Sequence, residues 1–442
     1  MRNSIAQRFT TGGLVRFALP TVVMMVVSSL YGTVDGVFIA RFVSTDALAA
    51  SNIVFPALGF VFGAGIMFGA GGSAVVGKDM GERRKISACR NFTRTILFSF
   101  LSGVALSGAL LLFLKPLLVA MGASERLLPY CEEYLRFLTP FLPLLVLQIV
   151  FGMFFITAGK PGTGMWLTIV SGLVNIVLDY LLIVHLGLGM SGAALATAAG
   201  FSITPLFALF YFRKGRTALY FMRHKLKMKV IGRICANGSS EMVGSLAAGI
   251  VGWLMNVAMI RAAGEEGVAA LTAVLYTQFL FTAVYYGYSG GVAPVISYNY
   301  GSRNPRMLRR VFGICAVVVG LCSLAMTGAT LLLARPLSGV FLEQGTEAYA
   351  LAVRGYRFFA IGYLFAGFNI FVSGFFTALS NGRVSAWLSF VRTFGFSVAG
   401  VLLLPALWRV DGLWISVPVA EAAALPLSVY SLFKNRGRYG YF

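Results

Sequence analysis

Four acidic residues stand inside stretches otherwise too apolar to hold them: Asp35, Asp179, Glu241 and Glu421. An ionised group at the centre of a bilayer costs about 2.5–3.5 kcal/mol on insertion scales, so an acid there normally faces a cavity or handles protons and ions. Asp35 lies 15 residues beyond Pro20, about 22 Å along an ideal helix, which puts it deep in the far half of the first apolar stretch. Asn175 and Asp179 are four residues apart and share one helix face. Thr197, 18 residues after Asp179, returns to a comparable depth on the next stretch. Two carboxylates, an amide and a hydroxyl are thereby expected to converge. Hard oxygen donors of this kind suit a small cation, and a close carboxylate pair in a low-dielectric interior favours proton exchange.

The remaining intramembrane charges read differently. Glu241 sits near the start of its stretch, where it is either a functional acid or a carboxylate balancing a helix N-terminus. Glu421 and Arg392 lie at similar depth, and a structural ion pair between them is expected. Two motifs of soluble enzymes are rejected. Gly72-Ser-Ala-Val-Val-Gly77-Lys78 approximates a phosphate loop, but Asp79 replaces the hydroxyl residue that would hold Mg²⁺ and no strand precedes it. Gly287-Tyr-Ser289-Gly-Gly291 fits a nucleophile elbow but lies within an apolar stretch without a suitable histidine. His185 and His224 stand alone, and the five cysteines lack C-x-x-C spacing, so neither a metal cluster, a disulfide framework nor a cofactor is expected. With no paired catalytic constellation, an enzyme is not the reading.

The elements that must position these residues follow from composition. Of the 442 residues, 58% are apolar and 12% charged, against about 25% charged in soluble domains. Windows long enough to cross a bilayer recur at 14–40, 52–77, 91–114, 132–158, 162–184, 189–212, 237–261, 267–296, 308–333, 352–378, 384–405 and 412–433. Twelve spans, all α-helical, are predicted. The first is too long for a signal peptide and is read as a retained helix. Basic residues crowd the loops at 78–94, 213–233 and 303–310 and both ends, whereas Asp46, Glu125, Glu132, Glu133, Glu265, Glu266, Glu343, Glu347 and Asp411 fill the loops between. This asymmetry predicts cytoplasmic termini in a multi-pass inner-membrane protein. It also accounts for the net charge of +21 without a nucleic-acid partner. The 213–233 stretch is basic enough to meet anionic lipid, although a topogenic loop explains it as well.

The chain also matches itself. In a register of 220 residues, Arg41 with Ala49-Ala50 falls on Arg261 with Ala269-Ala270, Gly71 on Gly291, Gly81-x-Arg83 on Gly301-x-Arg303, and Lys115-Pro116 on Arg335-Pro336. In a register of 221, Phe154-Phe155 meets Phe375-Phe376 and Trp166-Leu167 meets Trp387-Leu388. Two six-helix lobes follow, 1–212 and 237–442, joined by a basic linker at 213–236. A parallel repeat of this kind places a substrate path between the lobes near the membrane midplane. The four-residue cluster has no counterpart in the second lobe, since Asp35 aligns with Met255 and Asp179 with Gly400.

The stretches LPTVVMMVVSSLYGTVDGVFIARF at 19–42, NIVLDYLLIVHLGLGMSGAALAT at 175–197 and ISYNYGSRN at 296–304 resemble the multidrug and toxic compound extrusion (MATE) transporters. The resemblance covers nearly the whole chain. It implies two lobes forming a V and export of cationic amphiphiles in exchange for H⁺ or Na⁺. It further implies that Asp35, Asn175, Asp179 and Thr197 form the cation-coupling site and that Pro20 serves helix bending. Some members carry a second-lobe site built on a seventh-span glutamate and a tenth-span aspartate. Glu241 matches the former, but the tenth span here offers Asn369 in place of the latter. The expected partners are small amphiphilic substrates and membrane lipids, with no obligate protein partner. The 38 Phe and 16 Met suit an adaptable, cation-tolerant cleft. A flippase for lipid-linked saccharides shares the architecture, but its cavity needs several basic residues, and Arg392 alone lies mid-span.

Overall fold

A computed structural model describes residues 4–213, 218–223 and 225–442, and every regular element among them is helical. His224 and residues 214–217 of the linker lie outside the described residues. Ten continuous helical segments are long and apolar enough to cross a bilayer: α1 (Thr11–Val43), α2 (Asp46–Gly81), α3 (Lys85–Leu112), α4 (Leu128–Thr157), α5 (Pro161–His185), α6 (Gly189–Tyr211), α7 (Met228–Gly301), α8 (Pro305–Phe341), α9 (Glu347–Ala378) and α10 (Gly382–Tyr439). Helix starts carry side-chain caps where the sequence supplies them. Ser44 accepts from Ala47 N at 3.0 Å, Asn304 from Met307 N at 3.1 Å and Thr346 from Tyr349 N at 3.2 Å, each satisfying a free first-turn donor. Helix α7 begins at Met228, within the stretch read as linker.

Twelve apolar windows are distributed over these ten segments because two of them double back. At 1.5 Å per residue a straight helix of 74 residues would run about 110 Å, against about 30 Å of hydrocarbon. Gly264 breaks α7 with φ 63° and ψ −153°, a conformation that glycine adopts without a Cβ penalty. Both ends of α7 then lie against the last part of α2: a Cβ on Gly71 would run into the Ile234 carbonyl, and one on Gly81 into that of Tyr298. Helix α10 breaks at Trp408 and Arg409, and Gly412 beyond the break packs on the Leu404 backbone before it.

The internal repeat is visible in the contacts between lobes. Gly81 packs on Tyr298 and Gly301 on Lys78, two contacts that the 220-residue register exchanges. The same register converts the Gly71–Gly238 contact into the Gly291–Ala18 contact. Arg83 and Arg303, equivalent in the repeat, both take left-handed turns, at φ 59° and 51°. The lobes therefore meet about a pseudo-two-fold axis, α2 of one against α7 of the other, with glycines bringing the backbones close. These contacts lie toward the ends that carry the basic loops. Phe92, Phe151 and Phe154 anchor a core within the first lobe, and Phe312, Phe371 and Phe375 anchor one in the second that also takes in Phe9, Leu14 and Met24 from the N-terminal end of the chain.

Candidate functional site

Asp179 is wholly buried at the end of the regular part of α5, and Asn175, one turn earlier, is 2% exposed. Helix α6 lies directly on this face. A Cβ at Gly200 would stand 3.3 Å from that of Asn175, and Thr197, on the same face of α6 as Gly200, is 9% exposed. Helix α1 closes the cluster by placing the Asp35 carboxyl beside that of Asp179. Both Asp179 oxygens, both Asn175 amide atoms, Thr197 Oγ1 and Asp35 Oδ1 are buried without a hydrogen-bond partner among the described residues. A buried polar atom left unsatisfied costs about 1–3 kcal/mol. Six such atoms, on three helices packed together here, form a buried polar cluster rich in oxygen. That donor set fits a proton or a small hard cation.

The second lobe is organised differently. Glu421 accepts from Asn369 Nδ2 at 2.8 Å, and Ser428 donates to Asn369 Oδ1 at 2.9 Å. Arg392 places Nε 3.9 Å from Glu421 and donates through Nη2 to the Tyr286 hydroxyl at 3.5 Å. Glu241 is not joined to Asn369. It accepts from Thr377 at 3.4 Å, and the hydroxyls continue from Thr377 to Ser385 at 2.7 Å, to Ser373 at 3.0 Å and to Ser389 at 2.8 Å. Pro20 lies inside α1 beside Thr21 and Val22, which pack against Gly287 of α7. It therefore sits on the seam between lobes and not in the polar cluster.

Sequence reasoning missed the hydroxyl ladder and Tyr286. The i, i+4 pairs Ser373/Thr377 and Ser385/Ser389 were available as a signal, but serine and threonine in membrane helices often bond only their own backbone.

The MatE family model matches two segments, 20–181 and 242–402, one in each half of the repeat. This chain belongs to the MATE family. Among curated proteins, the multidrug export protein MepA of Staphylococcus haemolyticus is 24% identical, over 96% of this chain and 94% of its own length. Among solved structures, the outward-facing conformation of a multidrug resistance MATE transporter of the MOP superfamily aligns with TM-score 0.91 at 23% identity, covering 99% of this chain and 98% of that one. A MOP-superfamily transporter from Pyrococcus furiosus, described as having a binding pocket of reversed polarity, aligns with TM-score 0.90 at 22% identity over 99% and 98%. MATE proteins are transporters, so the buried cluster belongs to a membrane transporter of two repeated halves and not to an enzyme.

Proposed function

We propose that this MATE protein is a cation-coupled exporter of bulky hydrophobic, often cationic compounds, working by alternating access between its two lobes. The observation that carries the reading is Asp35 beside Asp179, with the helix of Thr197 packed on Asn175 and the polar atoms of all four residues buried and unpaired among the described residues. Two bare carboxylates so placed repel strongly in a low-dielectric interior; a shared proton or a small cation held between them removes the repulsion. Occupancy by H⁺ or Na⁺ then alters how α1 is held against α5, and α1 runs on to the inter-lobe seam at Thr21 and Val22. The similarity to multidrug export proteins across nearly the whole chain supports the same reading. The flippase alternative rests on architecture alone, and Arg392 is already engaged by Glu421.

A membrane potential supplies about 2.3 kcal/mol per charge per 100 mV, or roughly fifty-fold accumulation for each net charge moved. In vesicles loaded with a fluorescent lipophilic cation, an imposed proton or sodium gradient should drive transport by the wild type. Asp35→Asn should abolish the gradient-driven component while the protein still folds. Unchanged gradient-driven transport in the variant would remove Asp35 from the mechanism.

A further inference from the structure

Helices α1 and α8 both begin at the basic-loop face, and a groove of about 460 Å³ opens between Thr11 of α1 and the first turns of α8. Arg306, Arg309 and Arg310 form its rim, and Gly313, Ile314 and Val317 its continuation toward the membrane interior. Positions 306, 309, 310, 313 and 317 fall on one face of the helix. Neither helix has an acid in its first turn, and none of the three arginines forms an ion pair with a described residue. Three guanidiniums thus stand at the positive end of a helix dipole with no protein carboxylate to balance them.

The equivalent face of the first lobe also carries an opening, of about 450 Å³, but there the connection between lobes lines it with Phe221, Met222 and Arg223. Gly313 and Ile314 correspond to Thr93 and Arg94 of α3 in the 220-residue register. There the connection between lobes lies over the helix: Met222 N donates to Thr93 Oγ1 at 3.0 Å and Arg94 Nε donates to the Lys225 carbonyl at 3.0 Å. In the second lobe, glycine and isoleucine offer no side-chain polar atom to a covering backbone. A Cβ at Gly313 would meet nothing within 4 Å, and Val317 is 59% exposed. The result is a basic rim above an open apolar floor.

We propose that this groove binds an anionic glycerophospholipid, with its phosphate on Arg306, Arg309 and Arg310 and one acyl chain lying over Gly313 against Ile314 and Val317. The rim lies at the end of α8 that carries the basic loop, and the floor lies two to three turns deeper, the order of headgroup and chain in a bilayer leaflet. Charge selects the headgroup, since each basic residue near a membrane surface favours anionic lipid. The missing side chain at Gly313 makes room for the chain.

The test is native mass spectrometry of the purified full-length protein titrated with phosphatidylglycerol, phosphatidylcholine or inorganic phosphate. The wild type should retain phosphatidylglycerol in preference to phosphatidylcholine. The combined variant Arg306→Gln, Arg309→Gln, Arg310→Gln should bind it roughly a hundredfold more weakly. Gly313→Leu, which fills the floor without changing any charge, should weaken it by roughly tenfold. Neutralising Lys434, Arg436 and Arg438 near the C-terminal end of α10 should leave it unchanged. The proposal is overturned if Gly313→Leu binds as the wild type does, if the α10 control loses as much as the groove variant, or if inorganic phosphate displaces the lipid. Should the triple variant fail to fold, Gly313→Leu decides alone, because its side chain enters open space.

Discussion

Arg392 and Glu421 illustrate how one membrane charge constrains another. Their side chains are 13% and 12% exposed, and Glu421 is held further by Asn369. Removing one member of a buried pair leaves the other uncompensated, at a cost of about 3–5 kcal/mol, whereas removing both costs far less. Glu421→Gln should therefore lower the thermal midpoint in detergent by more than the double variant Glu421→Gln with Arg392→Gln does. A double variant that loses the sum of the two single losses would mean that the two residues contribute independently. Asp179 differs in kind. It has no hydrogen-bond partner among the described residues and another acid beside it, so Asp179→Asn should leave a folded protein that has lost gradient-driven transport, read in the vesicle assay.

At the scale of elements, two features decide where these side chains point. The first is a set of π-helical turns, each beside a membrane charge: Ile39–Val43 follows Asp35 by one turn, Tyr180–His185 follows Asp179 directly, and Val391–Ser397 contains Arg392. A π turn re-aims the side chains that follow it relative to those before it, so it sets the face of Arg392 directly and, for Asp35 and Asp179, how the rest of the helix leaves the acid; such turns are characteristic of functional positions in helices. The second is the glycine contact. Gly71 admits no side chain, because a Cβ there would strike the Ile234 carbonyl, whereas Gly108 on α3 has open space around it. Gly71→Ala should lower stability by about 1–3 kcal/mol through overpacking, while Gly108→Ala should be neutral or stabilising by about 0.5–1 kcal/mol. Thermal midpoints of the two variants, measured side by side, give the comparison. A Gly71→Ala protein as stable as the wild type would show that the seam is not tightly packed.

For the molecule as a whole, the seam is the part that proposed alternating access requires to open. A Cβ at Gly77 would lie 2.9 Å from that of Ser297, and a disulfide needs about 3.5–4.5 Å, a shift of about half an ångström or more. With Gly77→Cys and Ser297→Cys introduced together, oxidation should stop transport and reduction restore it. Transport that persists in fully cross-linked protein would exclude separation of the lobes at this face.

How the sequence relates to this architecture depends on the range of the forces involved. Apolar length and loop charge act locally, one span at a time, so the membrane class, the all-helical fold and the windows at 237–261 and 267–296 within α7 were legible without coordinates. The repeat was legible because Gly81-x-Arg83 and Gly301-x-Arg303 must make the same left-handed turn. Asn175, Asp179 and Thr197 could be grouped because helical period and span depth are regular. Direction across the lobe was not legible. That Asn369 engages Glu421 and not Glu241, that Thr377 begins a hydroxyl ladder, and that the connection between lobes bonds to Thr93 and Arg94 of α3 while their repeat mates on α8 line a basic groove depend on helix rotation and on which segment packs where. Those choices are made by contacts between residues far apart in the chain, and only the tertiary structure decides them.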